Sequence, residues 1–193
     1  QENAGSCLAK ANGFANCSGK FVHFLDADDF VHPDKYKVAL RAIGKSDVFV
    51  SSEMNLFVNG AGLVTGRTAS HQLKAAKPTY EVILRQISHS ANAIYKRELL
   101  DQALSKPVLP PKRVYGPVGD TWILFNTSLW AKSHHYHEEP LSQWCFHESE
   151  SISSSWEKLG IAAARLQADF ARAIWGKNKW LAQSRLMADI IIQ

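Results

Sequence analysis

The sequence has few cysteines and no long apolar run, and each shortage excludes a class of protein. Cys7, Cys17 and Cys145 are an odd number without a Cys-x-x-Cys spacing, which argues against a disulfide framework and against a zinc knuckle. No stretch approaches the roughly 18–20 apolar residues of a membrane-spanning helix, and no signal-peptide pattern opens the chain at Gln1. We therefore expect reduced thiols and a cytoplasmic location.

Net charge is also small. The 193 residues carry 22 Lys and Arg against 18 Asp and Glu, a formal charge of +4. This excess favours an anionic ligand or an acidic membrane surface, but it falls short of the basic surface of a nucleic-acid-binding protein. The hydrophobic content of 46% is enough to bury one sizeable core. We expect one main domain and no nucleic-acid partner.

Helix and strand patterns alternate along the chain. Residues 5–18 have apolar side chains at helical spacing, and an apolar strand follows from Lys20 to Asp26. A second helix begins at His32-Pro33-Asp34 and is followed by the buried strand SDVFVSS. This alternation predicts an α/β sheet. Further patterns predict a hairpin around Asn59-Gly60, a strand at ANAIY, helices at 79–89, 97–104 and 120–131, a long loop from about 105 to 119, and two amphipathic helices in 156–192.

Three carboxylates follow the first predicted strand, in the stretch FVHFLDADDF. Side chains alternate along a strand, so Asp26 and Asp28 are predicted to point to one side and Asp29 to the other side or into the next loop. Adjacent ionised carboxylates repel each other, which indicates either a divalent cation between them or a bound proton. The alternative is that Asp26 caps a turn and the other two carboxylates are solvated.

Two families place Asp-x-Asp after an apolar strand. Phosphatases of the haloacid-dehalogenase type usually have threonine at the fifth motif position, which is Phe30 here. Family 2 glycosyltransferases of the GT-A fold are the better match. Residues 2–36 resemble their Asn-x-Gly helix, their Leu-Asp-x-Asp-Asp strand end and their proline-started helix. Residues 119–153 resemble their Glu-Asp-Trp helix, Glu-Pro-Leu strand and closing Tyr-Arg-x-His-x-x-Ser-x-Ser pattern.

The resemblance implies a GT-A-type fold, a mixed sheet flanked by helices, over residues 1–155, with a helical extension at 156–193. It implies transfer of a sugar, with inversion, from a nucleotide-diphosphate donor to a glycan, a lipid carrier or a cell-wall polymer. Asp28, with Asp26, would hold manganese or magnesium against the donor diphosphate, with Asp29 beside them in the donor site. In the family pattern Asp26 alternatively faces the ribose. His147 is a further candidate metal or diphosphate ligand.

Asp120 matches the family's catalytic base, which takes the proton from the acceptor hydroxyl. The alternative is that Asp120 is only the N-cap of its helix. The cluster of His134, His135 and His137 fits no metal-site spacing and is interpreted as structural or solvated. The apolar stripe of the C-terminal helices either packs on the domain or lies on an anionic membrane face.

Several positions depart from the family pattern. The usual Glu before the catalytic aspartate is Gly119, the Arg of the closing motif is Cys145, and the Arg-Asn of the first helix is Lys10-Ala11. The strand and loop that bind the nucleotide base in this family have no counterpart before Gln1. The competing interpretation is therefore a truncated or degenerate domain that acts as a noncatalytic binding module.

Overall fold

The computed structural model describes residues 5–59, 61–69, 79, 82–83, 92–147 and 156–174. The helices among them are α1 (Ser6–Asn16), α2 (Lys35–Ala42), α3 (Arg97–Ser105), α4 (Gly119–Ser128) and α5 (Trp156–Ile174), with a 3-10 helix at Arg113–Val118. The strands are β1 (Phe21–His23), β2 (Phe30–Val31), β3 (Val48–Val58), β4 (Val64–Ala69), β5 (Ala93–Lys96) and β6 (His134–His147).

The strands form one mixed sheet in the order β1-β5-β3-β6-β2, and β4 pairs with β3 off this path. The long strands β3 and β6 run parallel at the centre, while every other pair is antiparallel. A parallel pair needs a crossover connection, which here contains β5, α3 and α4. The predicted α/β fold with a mixed sheet and flanking helices is confirmed.

Side chains of β3 alternate between two apolar clusters, one on each face of the sheet. Val48 and Val50 belong to the larger cluster, in which Trp122 of α4 and Phe170 of α5 are also fully buried. Phe49 belongs to the smaller cluster, under α2. Because both faces are covered by helices, the start of β3 is apolar at the consecutive positions Val48, Phe49 and Val50 rather than at alternate ones.

The first strand is shorter than the predicted Lys20–Asp26. Strand β1 pairs with β5 only from Phe21 to His23, after which the chain leaves the sheet. The N–H of Asp29 donates to the C=O of Asp26 at 3.2 Å, which closes a four-residue turn of the kind that aspartate favours. The prediction that Asp26 and Asp28 share one side of a strand is therefore wrong, since both lie beyond the strand.

Other predictions differ at their ends. The predicted loop at about 105–119 contains the 3-10 helix, and α4 ends at Ser128 rather than at 131. The hairpin is confirmed by the β3–β4 pairing, with Asn59 Oδ1 accepting the N–H groups of Ala61 and Leu63 at 3.0 and 2.9 Å. The predicted helix at 79–89 falls mostly outside the described residues, and the second C-terminal helix falls wholly outside them.

Helix α5 buries its apolar stripe on the domain. Ala162, Leu166 and Phe170 join the larger apolar cluster, where the rings of Phe170 and Phe125 lie 4.5 Å apart. Of the two interpretations of the C-terminal apolar stripe, α5 therefore agrees with packing on the domain. None of the helices in the described part of the chain has the length and apolar character that a membrane span requires.

Candidate functional site

The acidic turn after β1, helix α1 and the first turn of α4 meet at one place. Lys10 of α1 joins them, because its Nζ lies 2.9 Å from Asp26 Oδ1 and 2.5 Å from Asp120 Oδ1. The lysine side chain is 10% exposed, while those of Asp26 and Asp120 are 40% and 22% exposed. Two of the predicted site residues are thus brought together by a third residue that the sequence singled out only as a departure from the family pattern.

The charge state of Lys10 follows from this position. Burial by itself would lower the pKa of Lys10, but the carboxylates of Asp120 and Asp26 more than offset burial and raise the pKa above its usual value. The lysine is therefore an ammonium ion at neutral pH. Asp120 also acts on Tyr95, since burial of that phenol, followed by the nearby carboxylate, raises the pKa of Tyr95.

Asp120 does not cap its helix. It is the second residue of α4, the N-cap is Val118, and α4 has no side-chain cap hydrogen bond. The alternative role as an N-cap is therefore wrong. The helix dipole still favours a negatively charged side chain in the first turn, where Asp120 lies.

The close approach of α1 to α4 depends on glycine. A Cβ at Gly119 would lie 2.4 Å from Ser6 Oγ and 2.8 Å from the backbone N of Cys7. Ser6 Oγ also donates to the C=O of Gly116 at 2.5 Å. Gly5, with φ of +88°, lies so near that its own Cβ would be 2.8 Å from Gly116 Cα. The missing side chain at position 119 is what lets α1 lie against the start of α4.

The remaining two acids face different surroundings. Asp29 is 8% exposed, and its Oδ1 accepts the backbone N–H of Cys145 on β6 at 3.3 Å. Asp28 lies in the turn and is exposed. Burial, followed by the charges of Asp29 and Asp28, raises the pKa of the Cys145 thiol. Asp29 thus holds the acidic turn against β6, while Asp28 is the carboxylate that solvent reaches most readily.

The donor set fits a metal that is shared with a substrate. No group of three His, Cys, Asp or Glu side chains in the described part of the chain could hold a metal by itself. Magnesium usually keeps several waters and binds one or two carboxylates together with substrate phosphates, which suits the exposed Asp28. His147 ends β6 opposite Val58, and its side chain lies outside the described structure, so its predicted role stays a prediction.

The histidine cluster is part of the sheet. His135 stacks on Phe49 with ring centroids 5.8 Å apart, and His137 lies 6.1 Å from the same ring. His134 Nδ1 is 3.1 Å from Thr79 Oγ1, and burial, followed by the charge of His135, lowers the pKa of His134. These contacts are those of strand side chains packed on their neighbours.

Sequence reasoning assigned no role to two lysines, Lys10 and Lys35. Lys10 lies four positions after Ser6, so both lie on the face of α1 that meets α4, and this helical spacing was the available signal. Lys35 is fully buried although it lies in an otherwise ordinary amphipathic helix. Its spacing of four from the buried Ala39 indicates that it faces the sheet.

Known proteins resemble this chain in sequence and in fold. Residues 1–104 match the sequence model of the family described as glycosyl transferase family 2. A protein described as putative glycosyltransferase EpsH, from Bacillus subtilis (strain 168), is 25% identical over 200 residues that cover 100% of this chain and 56% of EpsH. The match leaves no support for the phosphatase interpretation.

Solved structures of S. aureus TarS share the fold. TarS 1-349 in complex with UDP-GlcNAc has a TM-score of 0.66 and 19% identity, and the match covers 89% of this chain and 47% of TarS 1-349. A second crystal structure of S. aureus TarS 1-349 has a TM-score of 0.56 and 17% identity, and the match covers 91% of this chain and 52% of that one. The chain therefore spans about half the length of the relatives it matches.

Proposed function

Because this chain belongs to glycosyl transferase family 2, we propose that it transfers a sugar from a nucleoside-diphosphate donor to a glycan or lipid-linked acceptor, with inversion at the anomeric carbon. One observation carries the proposal. The predicted base Asp120 and Asp26 of the acidic turn both contact one ammonium group, although Lys10 and Asp120 are 110 positions apart in the sequence. Such an arrangement brings an acceptor-activating group next to a donor-binding segment.

In the proposed reaction Asp120 is the general base. The acceptor hydroxyl attacks the anomeric carbon, a new C–O bond forms, and the bond to the diphosphate oxygen breaks on the opposite side. The hydroxyl proton passes to the Asp120 carboxylate, and the electron pair leaves with the nucleotide. A divalent ion, manganese or magnesium, would supply neutralisation of the leaving diphosphate; Asp28 would hold it, with Asp26 and His147 as further candidate ligands.

A uridine nucleotide is the first donor to test. This choice is supported by the printed description of TarS, which was solved with UDP-GlcNAc. The acceptor would be a glycan, a lipid carrier or a cell-wall polymer in the building of a polysaccharide. We place the reaction in the cytoplasm, and at the cytoplasmic face of the membrane if the acceptor is lipid-linked. The formal charge of +4 suits an anionic donor and permits peripheral contact with an acidic surface.

Replacing Asp120 with Asn tests the base. The change keeps the size of the side chain and removes its basicity, so folding and donor affinity should be nearly unchanged. Turnover should fall by about 100-fold to 10,000-fold, the usual contribution of general-base catalysis. The measurement is nucleotide release from UDP-GlcNAc, UDP-glucose and UDP-galactose by the protein as its gene encodes it, with and without candidate acceptors.

Two results would count against this assignment. Turnover by Asp120→Asn close to that of the unmodified protein would remove Asp120 from the mechanism. Binding of donor by the unmodified protein without any transfer or hydrolysis would favour the noncatalytic binding module. Melting temperatures of both proteins serve as the control for folding.

Replacing Asp28 with Ala tests the metal. The variant should lose the part of nucleoside-diphosphate binding that depends on manganese or magnesium, because one carboxylate and the phosphates would share the ion. Calorimetry with UDP in the presence of the ion, and again after addition of a chelator, measures that part. An unchanged metal dependence in Asp28→Ala would rule this residue out as the ligand.

A further inference from the structure

We propose that Lys10 is a positioning residue, whose ammonium group holds the carboxylate of Asp120 at a set place relative to the acidic turn. The inference deepens the proposed function and rests on it, because it assigns a role to Lys10 in the same reaction. Lys10 acts through Asp120 and not on the donor.

The geometry restricts Lys10 from both sides. Its Nζ is 2.5 Å from Asp120 Oδ1, and on the acidic turn it is 2.9 Å from Asp26 Oδ1 and 3.2 Å from Asp26 Oδ2. An exposed lysine paired with one carboxylate gains little from the pair, since its long side chain stays mobile. Here the side chain is only 10% exposed, and its Nζ contacts two carboxylates rather than one. Charge-assisted hydrogen bonds of this kind are short and strong.

The backbone that carries Lys10 is fixed to the backbone that carries Asp120. Ser6, one helical turn before Lys10, donates to the C=O of Gly116 at 2.5 Å. At Gly119, directly before Asp120, α1 and α4 lie so close together that a Cβ would not fit between them. The main chains that carry Lys10 and Asp120 are therefore packed directly against each other, which keeps the lysine within reach of the base.

Loss of the ammonium group would have a definite effect. Without it Asp120 and Asp26 would lack the cation that lies between them, and the Asp120 side chain could take other rotamers. A displacement of about 1 Å in a reacting group can cost about 100-fold in rate. The expected loss is therefore in turnover, because the donor contacts themselves are not removed.

Lys10→Met, Lys10→Arg and the control Lys45→Met provide the test. Lys45 is exposed in the loop between α2 and β3, so its replacement removes the same charge away from the site. Nucleotide release from UDP-GlcNAc, UDP-glucose and UDP-galactose is measured on the protein as its gene encodes it. We expect kcat to fall about 100-fold in Lys10→Met with the donor KM changed less than about threefold. Lys10→Arg should recover most of kcat, and Lys45→Met should behave as the unmodified protein.

Two kinetic outcomes overturn the proposal. An unchanged kcat in Lys10→Met means that the base needs no such support. A raised donor KM with an unchanged kcat means that Lys10 contacts the donor itself.

A double-mutant cycle separates this proposal from the proposed function. In the Asp120→Asn background, Lys10→Met should cause little further loss of turnover, and the two changes should affect the melting temperature non-additively. If the two changes lower the melting temperature additively, the Lys10–Asp120 contact makes no energetic contribution and the proposal is wrong. If the unmodified protein releases nucleotide from none of the donors, the glycosyl transfer fails and the catalytic role of Lys10 fails with it. A non-additive melting cycle would then leave only a structural ion pair.

Discussion

Gly119 stands directly before the proposed base Asp120 and is buried against α1. The family pattern has glutamate at this position, and the departure could be taken as a sign of lost activity. The structure provides a different reason, since a Cβ would meet Ser6 Oγ at 2.4 Å and the Cys7 backbone N at 2.8 Å. The latter contact is with main chain, so a larger residue would have to move α1. Glutamate at position 119 should therefore harm this chain rather than restore it.

Gly119→Ala is predicted to lower the free energy of unfolding by about 1–3 kcal/mol, as overpacking usually does. It should also reduce turnover, because α1 carries Lys10. Gly13→Ala is a matched control in α1, where a Cβ would meet nothing within 4 Å. That change should stabilise the protein by roughly 0.5–1 kcal/mol, since alanine favours the helix. Denaturant unfolding measures both. Equal stability of the two variants would show that α1 does not rest on Gly119.

At the scale of elements, α5 holds the segment that leads into α4. Asp169 of α5 accepts a short hydrogen bond from the hydroxyl of Tyr115 in the 3-10 helix, and Lys112 Nζ lies 3.2 Å from its Oδ2. The Tyr115 hydrogen bond, together with Lys112 and Arg172, lowers the pKa of Asp169 despite partial burial. The helical extension is therefore a support for the candidate site, because the 3-10 helix continues directly into Gly119 and Asp120.

Asp169→Ala should lower the free energy of unfolding by about 1–3 kcal/mol, because the buried hydroxyl of Tyr115 would lose its acceptor. It should lower turnover as well, since the start of α4 would lose this support. Asp101→Ala is the control. Asp101 is exposed on α3, and its Oδ1 lies 3.6 Å from Nη1 of Arg97. That ion pair should contribute little. Equal stability of the two variants in urea would contradict the role given to Asp169.

At the scale of the whole molecule, Lys35 joins one covering helix to the centre of the sheet. Its Nζ donates to Ser142 Oγ of β6 at 2.5 Å, to Ser51 Oγ of β3 at 3.4 Å and to the C=O of Asn92 at 3.3 Å. The side chain has no exposed surface. Burial lowers the pKa of Lys35 to about 7, although the charge of Glu53 opposes this shift.

Global stability should therefore rise with pH above about 7. Between the folded pKa and the ordinary value of 10.5, the unfolded chain binds the Lys35 proton and the folded chain does not. Raising the pH through this range favours the folded state, by about 1–2 kcal/mol from pH 7 to about 8.5. Below pH 7 both states are protonated, and this contribution to the slope disappears.

Urea unfolding at several pH values measures the effect, with Lys35→Met as the comparison. The variant should lose the rise between pH 7 and about 8.5 whatever its absolute stability. Cys7 limits the upper end of the range, because burial raises the pKa of its thiol to about 11 and favours unfolding at higher pH. The same slope in the variant and in the unmodified protein would assign the rise to other groups.

The sequence by itself determined the family, the α/β alternation, the acidic stretch and the candidate base. Each of these features depends on residues within about ten positions of one another, such as the stretch FVHFLDADDF and the proline at position 33, two residues before α2. The sequence also predicted the hairpin at Asn59, because the residues that favour a tight turn are adjacent in the chain. The end of β1 was not evident from the local pattern, because the apolar run continues through Phe24 and Leu25 after the last pair with β5, His23–Ile94.

Only the tertiary structure decided which groups meet. Lys10 and Asp120 are 110 positions apart, and their contact depends on the packing of α1 on α4, which a missing side chain at Gly119 permits. The burial of Lys35 likewise required α2, β3 and β6 to come together around it. Residue patterns record which face of an element is apolar, but the polar groups that converge beneath that face are set by the packing of several elements at once.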